Sequence, residues 1–373
     1  MLVLSRKHLA QGSAILSVST ASFALGWSAH GTTTVVATPK HASAVVPATA
    51  PVVDVVRPSK PSPVVLRVRA AARRAEAARK AKAAAARRAR LAQPKPSRSH
   101  APRVSISLYE RSVGGAVLQA QGCRAGRRGV GGLTILDFGK PYASGHAYGT
   151  LLFSDRFASN AAITRALWHY AVAYVRCLPK GSQAKIVLAR GTSNYHPAVR
   201  SAFKAGVLWA LETQNLGRTL ARHPWLAKHV TVAAADDAEP AWDRSFQRTY
   251  SFFRGFEDAG THLLIYDFGS LDGGVGTIWS AKQAFFVAGG MRDSRVVPEI
   301  YNHAMAHEWA TLAHITNVRY KRPVRFAGVM TQHHARFSMA PVDAHQALVR
   351  ALAEHVGNDA PAVPQNLTNI TAN

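Results

Sequence analysis

The chain lacks the sequence patterns that mark several large classes of protein. After residue 29, no stretch is long and apolar enough to cross a bilayer, so no later membrane span is predicted. No glycine-rich fingerprint follows a predicted strand, since Gly273–Gly274 and Gly289–Gly290 are isolated pairs, and we expect no nucleotide cofactor. The helix with His303, His307 and Glu308 places its glutamate after the second histidine, whereas a metalloprotease needs it after the first. No metal is therefore expected.

Acidic residues are almost absent from residues 57–103, where 15 Lys and Arg residues stand against the single acid Glu76. The whole chain has a formal net charge of +26. This composition predicts that residues 66–103 bind an anionic polymer through counterion release. No aromatic side chains lie between the charges to stack on bases, so no nucleic-acid partner is expected.

The N-terminus has the composition of an export signal. Arg6, Lys7 and His8 precede the apolar stretch 14–27, and small residues follow it. We therefore predict that residues 1–35 are an export signal or an uncleaved N-terminal anchor. Either one would place the protein outside the cell or in the cell envelope.

Cysteine is nearly absent as well, since Cys123 and Cys177 are the only two in the chain. Export would favour a disulfide between them, because disulfides persist in oxidising compartments. The alternative is that both are small, unpaired residues of the core.

The composition divides the chain into four segments. After residues 1–35, residues 36–103 are predicted to be a Pro/Ala/Arg-rich linker that contains a basic helix. Residues 104–358 contain the periodic apolar runs of a folded domain, and residues 359–373 are predicted to be a flexible tail.

Within 104–358, short apolar runs alternate with amphipathic stretches of helical spacing, which predicts an α/β fold with a parallel sheet. The length suits a TIM-like (β/α) barrel, and an open doubly wound parallel sheet is the alternative. Six runs are predicted strands, and Val104–Leu108 supplies a seventh. The six are Thr134–Phe138, Ile186–Ala189, Val230–Ala233, Leu263–Asp267, Phe285–Val287 and Val324–Gly328.

Polar residues follow five of these runs, at the strand ends where parallel α/β folds bind their ligands. The candidates for substrate binding at these ends are Asp137, Asn194, Tyr195, Asp267 and Gln332.

Three carboxylates are the candidates for catalysis. Asp237 and Glu239 are two residues apart after the Val230 run, so an extended backbone would project both from one face. Two neighbouring carboxylates push their pKa values apart, which lets one donate a proton while the other stays ionised. Glu299 is expected to face Glu239 as its partner, and Trp242 would stack on a sugar ring.

Each assignment has a structural alternative. Asp236 and Asp237 would cap the next helix, with Pro240 in its first turn and Trp242 in the core. Similarly, Glu299 would be a favourable acid in the first turn of a helix that begins near Pro298.

Five short motifs, FGKPY, GTSNYH, DAEPAW, PEIY and TQ, occur in this order. Over about residues 120–356 the chain resembles a group of poorly characterised secreted bacterial proteins with a glycoside-hydrolase-like TIM-barrel domain. The resemblance implies a barrel whose strand-end acids Asp237 and Glu239 line the site, with Glu299 and Gln332 nearby. The DxE pattern is also similar to that of lysozyme-type barrels, which implies that Glu239 is the proton donor.

These observations predict an exported, envelope-associated glycoside hydrolase that acts on a polysaccharide or peptidoglycan through carboxylate acid/base chemistry. The alternative is a non-catalytic envelope protein that binds a glycan or an anionic polymer.

Overall fold

The computed structural model describes residues 104–333 and 338–372. The predicted export signal, 1–35, and the predicted linker with its basic helix, 36–103, lie outside the described residues. None of the helices within the described ranges is both long and apolar enough to span a bilayer.

Eight parallel strands form one half-barrel sheet, and neighbouring strands follow the order β10-β11-β1-β2-β6-β7-β8-β9. The predicted α/β class is confirmed, and the open parallel sheet that was the alternative fits this arrangement. The eight strands are β1 (Val104–Tyr109), β2 (Gly132–Asp137), β6 (Ile186–Ser193), β7 (Val230–Asp237), β8 (Ile265–Asp267), β9 (Ser294–Val296), β10 (Val329–Thr331) and β11 (Leu367–Ala372). Three further strands, β3 (Lys140–Ser144), β4 (Ala147–Leu151) and β5 (Phe157–Ser159), form a small antiparallel sheet after β2.

Isolated parallel bridges lie between the two edge segments of the sheet: Val296 of β9 pairs with Phe326, and Glu299 pairs with Met330 of β10. The Met330 N–H donates to the Pro298 carbonyl at 2.9 Å, and the Ile300 N–H donates back to the Met330 carbonyl at 3.0 Å. These contacts fix the backbone around Glu299.

Eight α-helices lie between the strands of the described chain. They are α1 (Gly115–Arg128), α2 (Asn160–Arg176), α3 (Ala202–Ala221), α4 (Pro224–Ala227), α5 (Gln247–Asp258), α6 (Ala281–Phe285), α7 (His303–Ile315) and α8 (Pro341–His355). Serine caps start three of them, because the side chains of Ser159, Ser201 and Ser280 accept from the N–H groups of Ala162, Lys204 and Gln283. The apolar face of α2 is buried, as its helical spacing predicts.

Side chains alternate between two faces of the sheet. Leu133 and Ile135 of β2 pack with Ala233 and Ala235 of β7 on what we call the inner face. The outer face packs against the helices and carries, for example, Leu136. Continuing this alternation puts the last residues of β2 and β7, Asp137 and Asp237, on the inner face.

Two predicted strands were wrong. Phe285–Val287 belongs to α6 and the π-helical turn that follows it, and the strand of this region is β9. Short apolar runs do not distinguish a buried strand from a buried helix. Val324–Gly328 makes only a bridge at Phe326, and the strand begins at Val329, after Gly328, whose φ of 153° interrupts the extended backbone.

The C-terminal residues complete the sheet. Leu367–Ala372 forms β11, which pairs with β1 along its whole length. This strand lies in the segment 359–373 for which a flexible tail was predicted. Its sequence, LTNITA, contains polar residues at every second or third position, so it lacks the apolar run that marked the other strands.

The disulfide between Cys123 and Cys177 is confirmed, with Cα atoms 5.0 Å apart. It joins α1 to the C-terminus of α2. Gly122 and Gly126 allow α1 to approach α2 closely, since a Cβ at either position would clash with the carbonyl oxygens of Tyr170 and Tyr174.

Candidate active site

Carboxylates from two strands meet where the sheet ends on its inner face. Asp237 is the last residue of β7, Glu239 follows two residues later, and Glu299 follows β9. Asp237 and Glu299 are each 3% exposed, and Glu239 is half-buried. The three interact electrostatically with one another, so the structure brings together the three acids that the sequence singled out.

Burial and mutual repulsion favour the protonated forms of the two deeper acids. Burial raises the pKa of Asp237 well above its usual value, and the charges of Glu299 and Glu239 raise it further. Burial likewise raises the pKa of Glu299, followed by the charge of Glu239, while a hydrogen bond from Tyr301 opposes the shift. Ionising all three together would place three like charges in a water-poor site.

The pKa of Glu239 is raised less than those of Asp237 and Glu299. Burial raises its pKa to about 7 and the charge of Asp272 adds to the effect, whereas hydrogen bonds from Ser270 oppose it. A carboxyl with this pKa holds its proton in about half of the molecules at neutral pH. Such a group can donate a proton and take it back near pH 7.

Asn194, at the end of β6, fixes the backbone of Glu239. Its Nδ2 donates to the Glu239 carbonyl at 2.9 Å, and the Glu239 N–H donates to its Oδ1 at 3.0 Å. Nδ2 also donates to Thr249 Oγ1 at 3.0 Å. Because this amide is 5% exposed and bonded at both atoms, it positions Glu239, although the sequence suggested that it binds substrate.

Asp272 supports the segment after Glu239 from the loop that follows β8. Its Oδ2 accepts from the Ala241 N–H at 2.6 Å, and its Oδ1 accepts from Ser270 Oγ at 2.9 Å. Asp272 has a positive φ of 47°, which aspartate tolerates better than most residues. The same side chain therefore fixes the loop and raises the pKa of Glu239.

Two tyrosines border the acids. Gln332 Nε2 donates to the Tyr109 hydroxyl at 2.7 Å, which brings Gln332 to the site as expected. Burial, then the charges of Asp237, Glu299 and Asp137, raise the pKa of Tyr109. Burial also raises the pKa of Tyr301, with Glu299 next in importance. Both phenols stay protonated and can donate hydrogen bonds to carboxylates or to a ligand.

A cleft of about 400 Å³ opens over Asp237. Asp237 Oδ1 is buried and has no hydrogen-bond partner among the described residues. Tyr195, which is 44% exposed, and Trp242 meet edge to face with ring centroids 5.4 Å apart. The walls of the cleft are Tyr109, Gly139, Lys140, Leu151, Leu152, Phe153, Asp155, Ser193, Tyr195, Asp237 and Trp242.

Two other predicted residues have different surroundings. Asp137 is buried on the inner face, where its Oδ1 accepts from the Gly139 N–H at 2.9 Å, and burial raises its pKa to about 8. Asp267 is equally buried, but alternation places it on the outer face beside Asp236. Its Oδ1 accepts from the Gly269 N–H at 3.2 Å, so it holds the loop after β8 and does not line the cleft.

The capping alternatives do not describe the site. β7 continues through Asp237, and the next helix, α5, begins only at Gln247. Trp242 is partly exposed in the cleft wall. Glu299 precedes α7, whose N-cap is Asn302.

Sequence reasoning missed Tyr109, Asp272 and Tyr301. Tyr301 lies within the PEIY motif, and Tyr109 directly follows the predicted strand Val104–Leu108. The sequence next to each tyrosine could therefore have identified it as a candidate site residue. No group of three or more His, Cys, Asp or Glu side chains in the described part of the chain is arranged to hold a metal ion. The sequence matches no protein-family model and no curated protein. The function is therefore argued from the chemistry of the site.

Proposed function

We propose that the protein is a glycoside hydrolase that cleaves a polysaccharide or peptidoglycan. The observation that carries this proposal is a set of three carboxyls that interact electrostatically, one of which, Asp237, lines a cleft walled by aromatic rings. Glycoside hydrolysis needs two carboxyl groups held in different protonation states. Aromatic rings such as Tyr195 and Trp242 suit the apolar faces of sugar rings.

In this proposal Glu239 is the general acid. Its pKa of about 7 supplies a proton to the leaving glycosidic oxygen near neutral pH. Asp237 lines the cleft and acts opposite as nucleophile or base, once substrate binding displaces the proton that burial favours on it in the free protein. Glu299 accepts a hydrogen bond from Tyr301, and its charge raises the pKa of Asp237.

The substrate-binding assignments follow from the cleft. Tyr195 and Trp242 would stack on sugar units, and Tyr109, held by Gln332, would donate to the unit above Asp237. Asn194 acts on Glu239 alone, as a positioning residue.

We further propose that the sheet closes into a (β/α)8 barrel. Strand order follows chain order, and β11 lies beside β1, which is how the two ends of a barrel meet. The bridges at Val296 and Glu299 lie between the two edge strands, where the last seam would be. In such a barrel the catalytic groups sit at the C-terminal ends of the strands, as these acids do.

The protein is proposed to act outside the cytoplasm, in association with the envelope. The predicted signal in 1–35 supports this, and so does the Cys123–Cys177 disulfide, which favours an oxidising compartment. Residues 66–103 would hold the enzyme on an anionic polymer.

The test is release of reducing ends from peptidoglycan and from a panel of polysaccharides by the full-length chain and its Glu239→Gln variant. Loss of the proton donor should lower kcat by about a hundredfold or more. Glu354→Gln, which neutralises an exposed acid on α8, is the matched control and should be as active as the unaltered chain.

Two outcomes would oppose the proposal. Equal activity of Glu239→Gln and the unaltered chain would remove Glu239 from the mechanism. Binding of a glycan by every variant without turnover would favour the alternative, a non-catalytic glycan-binding envelope protein.

A further inference from the structure

A second cavity, of about 420 Å³, adjoins the cleft at Trp242, which lines both. Its other walls are His196, Pro197, Ala241, Asp243, Arg244, Ser245 and Arg248. The proposed acid/base chemistry uses none of these residues. A polymer that stacks on Trp242 in the cleft would extend its next unit into this cavity.

Two of the exposed side chains that line the cavity are arginines. Arg244 and Arg248 are exposed, and neither forms an ion pair with an acid of the described chain. Arg248 donates to the Pro197 carbonyl, which ties its guanidinium to the opposite wall. Guanidinium groups bind carboxylates and phosphates through paired donors, and here those donors face a cavity.

The one acid in the lining, Asp243, is already engaged. Its Oδ1 accepts from Ser245 Oγ at 2.8 Å, while its Oδ2 accepts from the Thr249 N–H at 2.8 Å and from Thr249 Oγ1 at 3.0 Å. Asp243 is 8% exposed, and through the Thr249 N–H it also caps the N-terminus of α5.

We infer that this cavity binds an anionic group, a carboxylate or a phosphate, on the glycan unit next to the one in the cleft. This inference rests on the proposed function, because it takes the cleft to hold a sugar polymer. The cleft is lined by two acids, Asp155 and Asp237, against one cation, Lys140, so the two cavities favour a polymer whose charges are spaced away from the bond at Asp237. The substrate class is therefore an acidic glycan.

The test measures binding in the full-length chain that carries Glu239→Gln, so that no turnover occurs. The probes are a trimer of uronic acid, its methyl ester, which has the same backbone without charge, and a glycerol-phosphate trimer. Arg244→Gln is the test variant, because the Arg244 side chain forms no hydrogen bond or ion pair with the residues that the structure describes. Arg350→Gln, on the exposed face of α8, is the matched control. The basic N-terminal residues are common to all variants and cancel from each ratio of Kd values.

We expect Arg244→Gln to weaken binding of a charged trimer by about fivefold and to leave binding of the methyl ester unchanged. Arg350→Gln should alter neither. A fivefold loss with the uronate alone identifies a carboxylate as the ligand, and a loss with the glycerol-phosphate trimer alone identifies a phosphate.

The inference is overturned if Arg244→Gln and Arg350→Gln give the same Kd values for both charged trimers, or if the methyl ester loses as much affinity as the uronate. Failure of the proposed function has a different signature. In that case the Arg244-dependent binding of a charged trimer remains, but the unaltered chain releases no reducing ends from any polymer.

Discussion

The side-chain amide of Asn194 makes two hydrogen bonds with the backbone of Glu239, one in each direction. Asn194 directly follows β6 and Glu239 follows β7, so the contact ties together two neighbouring strand ends. The Asn194 N–H also donates to the Asp237 carbonyl at 3.1 Å. One residue thus fixes the backbone at both acids to which we assign the chemistry.

Asn194→Ala should reduce kcat more than it changes KM, because it frees the backbone of Glu239 and leaves the aromatic walls in place. We expect a loss of about tenfold or more in kcat, since small displacements of a catalytic group are costly. Steady-state kinetics on the polymer identified in the release assay would measure this.

The matched control is Thr249→Val, which removes only the third hydrogen bond of the Asn194 amide and keeps the shape of residue 249. It should lose stability, because Asp243 also loses a donor, yet it should keep most of its kcat. A larger kcat loss in Thr249→Val than in Asn194→Ala would contradict a positioning role for Asn194.

The strand-end residues could be predicted because apolar runs such as Ile186–Ala189 and Val230–Ala233 mark the strands that these residues follow. Asp237 and Glu239 were found together since alternation along an extended backbone is a local property. Asp272 could not be found in this way. It reaches Ala241 from a loop after another strand, and only the folded sheet brings the two together.

The short strands mark the limit of sequence reasoning. β9 and β10 have three residues each, too few for a period of two to stand out from a helical apolar run. β11 could not be predicted from its own sequence, because its six residues are held in the sheet by pairing with β1 and β10 on either side. The small sheet β3 to β5 was missed as well, and it brings Leu151 to the cleft.

The activity should fall as the pH rises past about 7. Glu239 must carry a proton to act as the acid, and it loses that proton near its pKa of about 7. Above this pH, kcat, which reports the substrate complex, is expected to drop about tenfold per pH unit. A carbon NMR titration of the Glu239 carboxyl would measure the same pKa without turnover.

Asp272→Asn tests the cause of this shift. The charge of Asp272 raises the pKa of Glu239, so its removal should lower that pKa and move the fall in activity to lower pH. A midpoint that stays in place or moves upward would show that Asp272 does not set the protonation of Glu239.

The Cys123–Cys177 disulfide should contribute substantially to stability. It closes a loop with a sequence separation of 54 residues, and restriction of the unfolded chain predicts a contribution of about 4 kcal/mol to the free energy of unfolding. Urea unfolding of the Cys123→Ala/Cys177→Ala double variant would measure the loss. Reductant should lower the urea midpoint of the unaltered chain to about that of the double variant, and it should leave the double variant unaffected. If reductant lowers both midpoints equally, its effect does not come from this disulfide.

The buried carboxyl of Asp137 should make the fold less stable at alkaline pH. Its pKa is about 8 in the folded chain, because burial raises it, and about 3.9 in the unfolded chain. Between these values the folded state binds more protons than the unfolded state, so the free energy of unfolding decreases as the pH rises from 4 towards 8.

The substitution Asp137→Asn removes this pH dependence of the free energy of unfolding. The amide oxygen of the substituted side chain can still accept from the Gly139 N–H. Near pH 4 the variant and the unaltered chain should be about equally stable, whereas near pH 8.5 the variant should be more stable by roughly 2 kcal/mol. Thermal unfolding across this pH range would measure the difference, with the exposed Asp359→Asn as control. A difference between variant and unaltered chain that stays constant with pH would mean that Asp137 is already ionised in the fold. Burial and the charges of Glu299, Glu239 and Asp137 all raise the pKa of Asp237. With Asp137 ionised, a proton on Glu299 or Glu239 would be needed to reduce the negative charge around Asp237.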